Sequence, residues 1–183
     1  VEVHLVGGFH NRRSPEYLSI HGLRPEDAHE SHEDWVRRIH PDDRARTEQA
    51  FIDAVHSTAT DYSAEYRIIR PNDGELRWIA VKAEIERDAT GRAIRLVGAH
   101  IDITERKIAE QALRESERRF RLVSESAPVM LWMADTTGKC LYINRNLREF
   151  WGIAADDVPT FDWARTIHSD DVPALSAIVM RAM

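Results

Sequence analysis

The run Asp34-Trp35-Val36-Arg37-Arg38-Ile39-His40-Pro41-Asp42-Asp43 returns 128 residues later as Asp162-Trp163-Ala164-Arg165-Thr166-Ile167-His168-Ser169-Asp170-Asp171. Chance explains the shared D-W-x-x-x-I-H-x-D-D spacing poorly, whereas two copies of one structural unit explain it directly. One continuous core is thereby ruled out, and the 183 residues divide between two related units. Upstream of the first run, Ser14-Pro15-Glu16 opens a short helix that stops at Gly22, with a serine cap and a proline in the first turn. Upstream of the second, residues 146–152 form a comparable short helix. Residues 1–6 read as a strand, yet the sequence begins at Val1 rather than Met and stops at Met183 within a helical run from Pro173. The chain is therefore read as an excerpt: the first copy is expected to have incomplete opening strands, and the second to break off before its sheet is finished.

The middle of the chain carries the strongest periodicity. Residues 62–70 are rich in aromatic and β-branched side chains and end at the turn Pro71-Asn72-Asp73-Gly74. The next run places Ile79, Val81, Ala83 and Ile85 on one face, as a half-buried strand requires. Asp88-Ala89-Thr90-Gly91 supplies a second turn, and residues 94–103 follow with apolar side chains on both faces, a strand expected to be covered on both sides. Connections this short demand antiparallel neighbours, because a parallel crossover needs a dozen residues or more. Before this meander, residues 44–56 read as a helix with Ala50, Phe51, Ala54 and Val55 facing inward.

No glycine or proline interrupts residues 105–127, and good helix formers dominate, so a long helix is predicted from Thr104, capped by Asp102 or Thr104 and ended by Pro128. Ala109, Leu113, Ser116, Phe120, Val123 and Ala127 recur at alternating spacings of four and three, the pattern of a thin coiled-coil seam. The seam predicts weak parallel pairing of two chains along Ala109, Leu113, Phe120 and Val123. Beyond the helix, residues 131–135 and 140–144 flank Thr136-Thr137-Gly138-Lys139 as another hairpin.

Composition narrows the functional classes. A formal net charge of -6 argues against a nucleic-acid binder, which needs a basic face. Cys140 is the only cysteine, which excludes an intrachain disulfide and a cysteine-rich metal site and fits a reducing, cytoplasmic setting. No run approaches the ~20 apolar residues of a membrane span. The cluster His29-Glu30-Ser31-His32-Glu33 lacks metal-ligand spacing and reads as a solvated loop. His40 and His168, each before an acidic pair, read as structural, with the aspartates capping the following helix. No nucleophile and base pair stands out and no glycine-rich phosphate loop is present, so no catalytic activity is expected within this segment.

Taken with Glu65-Tyr66-Arg67, the Asp73-Gly74 turn and the passage from Asp102-Ile103-Thr104 into Ala109-Glu110-Gln111-Ala112-Leu113-Arg114-Glu115-Ser116-Glu117, the chain resembles tandem PAS domains with their PAC motif. Such modules belong to bacterial sensor proteins of the histidine kinase or diguanylate cyclase type. The resemblance implies an α+β fold in which a five-stranded antiparallel sheet cups a small-molecule pocket under short helices. It divides the chain into a PAS domain at 1–103 with its PAC meander at 61–103, a linker helix at 104–127, and the first part of a second PAS domain at 128–183. The implied function is sensing and signal relay: a small ligand or partner acts on the pocket, and the change passes along the linker helix of a homodimer. The alternative is a ligand-free dimerisation and spacer module whose pocket is filled by Tyr66, Trp78 and Ile79.

Gly98, His100 and Asp102 share one face of the last meander strand, and by resemblance that face lines the pocket. Ile69, Ile79, Val81, Gly98 and His100 are therefore the pocket candidates, and Asp102 and Thr104 the relay junction. His100 is read either as a ligand contact or as a core histidine hydrogen-bonded across the sheet. No cofactor or metal is expected. A flavin photosensor of the related LOV type needs a cysteine in an Asn-Cys-Arg context on a short helix, and Cys140 falls on a predicted strand. His56, near a helix end, is the nearest approach to a haem ligand and reads as a surface histidine.

Overall fold

Two three-residue strands, β1 (Glu2–His4) and β2 (His10–Arg12), pair antiparallel at the start of the chain, and β1 also pairs with residues 95–97. The first copy thus has two opening strands in its sheet, each three residues long. The structure, a computed structural model, describes residues 1–6 and 10–182. It divides into two units, Val1–Gln111 and Ala112–Met183.

Short helices follow, each with its ends satisfied locally. Helix α1 (Pro15–His21) starts where the Ser14 hydroxyl accepts from the Tyr17 amide and stops where Gly22 turns left-handed at φ 65°. After a 3-10 turn (Pro25–His29), α2 (His32–Arg38) opens on a Ser31–Asp34 capping box. Its last carbonyls, those of Val36 and Arg37, and that of Ile39 accept from the Arg44 guanidinium. Helix α3 (Pro41–His56) is capped by the His40 ring, whose Nδ1 accepts from the Asp42 amide at 3.3 Å. The histidine is the cap, not the aspartates as expected, because Asp43 turns back to Arg67 instead. Thr47, Phe51, Ala54 and Val55 face inward from α3, whereas Ala50 is exposed, against expectation.

The meander is β3 (Asp61–Ile69), β4 (Leu76–Arg87) and β5 (Ala93–Asp102), which completes a five-stranded antiparallel sheet of order β2-β1-β5-β4-β3. Tyr62, Tyr66, Ile68, Ile79, Val81, Ile85 and Leu96 point from it into the core beneath Trp35 and Ile39. Only one face of β5 is covered: Val97, Ala99 and Ile101 are exposed, so its two-sided apolar pattern does not mean two-sided burial here. The edge of β3 is closed by Ile39, which bridges to Ile68, and by the His40 amide, which donates to the Arg67 carbonyl at 2.9 Å. At Gly98 a Cβ would sit 2.3 Å from the Lys82 carbonyl oxygen and 2.5 Å from the Ala83 Cβ, so β4 and β5 approach here only because position 98 has no side chain.

Helix α4 (Thr104–Ser126) leaves directly from β5. In the second unit β6 (Trp132–Ala134) and β7 (Cys140–Ile143) form the expected hairpin, followed by α5 (Arg145–Trp151), 3-10 turns at Ala155–Thr160 and Trp163–Thr166, and α6 (Val172–Ala182). The Trp163 side chain, counterpart of Trp35, and Met183 lie outside the described residues. Local chemistry repeats across the units. Asp88 Oδ1 accepts from the amides of Thr90 and Arg92 and from the Thr90 hydroxyl, and Asp135 Oδ1 accepts the same three bonds from Thr137 and Lys139. Fully buried Asn144 caps α5 at Leu147, accepts from the Leu131 amide, and donates to the carbonyls of Ser124 and Val129.

Candidate functional site

A cavity of about 60 Å³ lies in the first unit between the inner face of the sheet and α1, α2 and α3. Val81, Gly98 and His100 line it from β4 and β5, and Tyr62 and Tyr66 from β3. Trp35 and Phe51 close it from the helices, and Asn11, Arg13 and Tyr17 form its polar end. Trp35 is fixed there because its indole N–H donates to the Tyr66 hydroxyl at 2.9 Å. This volume is far below the ~300–1,000 Å³ of pockets for drug-sized ligands. His56, the nearest approach to a haem ligand in the sequence, is exposed rather than aimed inward. Among the described residues no group of three or more His, Cys, Asp or Glu side chains is placed to hold a metal ion.

Of the five pocket candidates, three line the cavity. Ile79 is fully buried in the adjoining core but does not border the space. Ile69 is a correction: it is 40% exposed, because β3 alternates and its inward positions are Tyr62, Tyr66 and Ile68. Trp78 is a second correction, since Ile79 beside it faces in and turns the indole outward, away from the cavity.

The polar end holds residues that motif spacing did not single out. Glu30, expected in a solvated loop, is buried, and its carboxylate accepts from the Tyr17 hydroxyl at 2.7 Å and from the guanidinium of Arg38. Arg13 stands 3.2 Å from the same carboxylate, and its guanidinium lies 4.5 Å above the Tyr17 ring. Asn11 donates to the Glu30 carbonyl at 2.7 Å, which fixes its amide orientation and leaves its Oδ1 buried and unpartnered. His21 stacks on Tyr17 with centroids 4.0 Å apart and shares a hydrogen bond of 2.9 Å with His100 Nδ1. His100 thus borders the cavity, and its hydrogen bond runs to His21 of α1 rather than across the sheet.

Burial sets the electrostatics. Loss of solvent, aided by the Arg13 guanidinium, holds the His100 imidazole down at about 3, and burial with the neighbouring His100 holds His21 well below its ordinary range. Both rings are neutral at pH 7. Burial raises the Tyr17 and Tyr66 hydroxyls and pushes Tyr62 up to about 12, so all three remain protonated hydrogen-bonding groups.

At the end of β5, the passage into α4 is held from β3 and β4. The Trp78 carbonyl accepts from the Ile103 amide and the Trp78 amide donates to the Thr104 hydroxyl, both at 2.9 Å. Asp102 accepts from the Thr104 amide at 2.9 Å and lies 3.4 Å from Arg77. Glu65 pairs with Lys107 at 2.6 Å and Arg106 at 2.8 Å, and Lys107 sits over the Trp78 ring. Glu65-Tyr66-Arg67 therefore alternates by function: Glu65 holds the helix, Tyr66 enters the cavity wall, and Arg67 clasps Asp43 with two guanidinium contacts of 2.8 Å. Sequence reading found Asp102 and Thr104, but missed Trp78 as their partner.

The predicted seam residues Leu113 and Val123 are 61% and 64% exposed, and Ile108 and Leu122 beside the seam are equally open. Phe120 differs, since its ring lies 5.6 Å from that of Tyr142 in the second unit.

A five-stranded antiparallel sheet with short helices enclosing a small cavity, followed by an exit helix, is the architecture of a sensory module. The chain belongs to the PAS fold family: two PAS-fold models match it, at residues 11–100 and 118–183. A crystal structure of a sensory box histidine kinase/response regulator from Burkholderia thailandensis is 31% identical, with a TM-score of 0.54 over 66% of this chain and 87% of that one. The N-terminal domain of a diguanylate cyclase with PAS/PAC sensor from Marinobacter aquaeolei is 25% identical, with a TM-score of 0.51 over 58% of this chain and 94% of that one. The two-component sensor PprA of Pseudomonas aeruginosa is 26% identical over 151 residues, 80% of this chain and 15% of its own length. The chain spans 15–21% of the length of three curated relatives that it matches. No helix among the described residues is long and apolar enough to cross a membrane.

Proposed function

We propose that residues 1–103 are a non-enzymatic, cytoplasmic sensory module whose cavity takes a small ligand without haem or flavin, and that its state is passed through the helix at 104–127 of a homodimer. The parent protein is then a histidine kinase or a diguanylate cyclase, and residues 128–183 are the beginning of a second PAS domain. One observation carries the relay: β5 places Gly98 and His100 on the cavity and ends two residues further at Asp102, which with Thr104 makes the hydrogen bonds that start α4. A change in the cavity wall displaces a strand whose last residues set the first turn of the helix.

Cavity filling tests this without a ligand. Ala83→Leu adds bulk at the wall opposite Gly98, at a typical overpacking cost of about 1–3 kcal/mol. Hydrogen exchange at residues 104–111 should change in Ala83→Leu, and that change should vanish when Asp102→Ala and Thr104→Val are added. Unaltered exchange in a folded Ala83→Leu protein would refute the relay. The spacer reading draws on the small cavity and on Tyr62, Tyr66, Trp35 and Phe51 around it, and unaltered exchange is the outcome it requires.

A further inference from the structure

The polar end of the cavity contains two guanidinium groups and one carboxylate. Arg13, Arg38 and Glu30 have side chains 6%, 9% and 4% exposed, and arginine does not give up its charge in a protein. Asp27 and Asp34, the other carboxylates near Arg38, are on the solvent side and are engaged by Arg24 and Ser31. Arg13 is thus left incompletely compensated on the cavity side, and the Val1 ammonium, which also lines the cavity and donates to the Gly98 carbonyl at 2.9 Å, adds a second positive charge there. The Arg13 Nε–H is buried without a hydrogen-bond partner, and the Tyr62 hydroxyl in the same lining has none. Leaving a buried guanidinium this poorly compensated is costly, and an anion reaching it from the cavity removes the cost. Val3, Val81, Ala83 and Leu96 supply apolar walls.

We propose that this cavity binds a short monocarboxylate, its anionic end on Arg13 and its apolar end against Val81 and Leu96. An anion matches the positive end of the cavity, and a space of about 60 Å³ admits only a few heavy atoms, which favours a short monocarboxylate over a larger acid. Chloride would leave the apolar end unfilled, and a phosphate would bring extra charge and hydration into a small cavity. This inference rests on reading the cavity as a ligand site.

The test is calorimetric titration of the 183-residue chain with propionate, with its neutral isostere propionamide, and with chloride, alongside thermal melts. Propionate should bind and raise the melting temperature, with propionamide and chloride weaker by roughly ten- to hundredfold, the worth of a charged hydrogen bond. Arg13→Gln should lose propionate affinity by a similar factor. The comparison on the unaltered chain decides the matter even if Arg13→Gln fails to fold. Propionamide binding as tightly as propionate would overturn the carboxylate assignment and leave the cavity a ligand site, as would chloride binding as tightly. Failure of all three to bind would overturn the carboxylate assignment, and the cavity-filling experiment above would then decide separately whether the cavity signals.

Discussion

Below pH 7 the buried imidazoles of His21 and His100 resist protonation in the fold, His100 down toward about 3, while the same groups in the unfolded chain take up protons around 6.5. Their depressed folded values mean that the unfolded state binds more protons, so stability is complete above pH ~6.5 and falls as pH drops below it, by up to about 1.4 kcal/mol per pH unit for each ring. Denaturant midpoints at pH 7 and pH 5 should differ accordingly, and a His21→Gln, His100→Gln variant should flatten the profile in that window. A profile already flat in the parent contradicts the assignment. Asp43 acts lower down: hydrogen bonds from Arg67 hold its carboxyl at about 2, so its contribution is present above 3.8 and is lost between 3.8 and 2. At this scale the sequence was only partly legible. Alternation along β5 placed Gly98 and His100, but Glu30 and Arg13 lie in segments without periodicity, and only the folded chain brings them onto Tyr17. Ile69 was misplaced because two consecutive isoleucines, Ile68 and Ile69, do not reveal which one faces in.

Elements were read more securely, because their signals are local. The two meander turns, the Ser14 and Gly22 ends of α1 and the uninterrupted run of α4 each depend on a few adjacent residues. What escaped was coverage by partners distant in sequence: β5 is apolar on both faces, yet nothing in this chain's sheet order places a layer over Val97 and Ile101. Asn144 shows how much one element boundary can carry, since its amide satisfies two amides and two carbonyls from three segments. Asn144→Ala should destabilise the second unit by about 2–4 kcal/mol, the loss of a cap plus buried groups left unsatisfied. Denaturation followed by hydrogen exchange should register the loss at residues 112–183 and leave the first unit unchanged.

For the whole molecule, the exposed seam of α4 is the feature that one chain does not satisfy. Pairing with a second chain would cover Leu113 and Val123, so a Leu113→Glu, Val123→Glu variant should sediment as a monomer at concentrations where the parent is a dimer, with the meander still folded. Phe120 is left intact in that test because it also leans on Tyr142. A parent that sediments as a monomer at high concentration would remove the basis for relay through paired helices. The alternation Glu65-Tyr66-Arg67 has a further consequence, for how such a chain can change over generations. Adding or deleting one residue within β3 would swing Tyr66 out to solvent and carry Glu65 and Arg67 toward the cavity, undoing helix attachment, cavity wall and α3 clasp together. The exposed loop 71–74 can lengthen at little cost. Side chains in β3 are open to substitution within their chemistry, but its length is not.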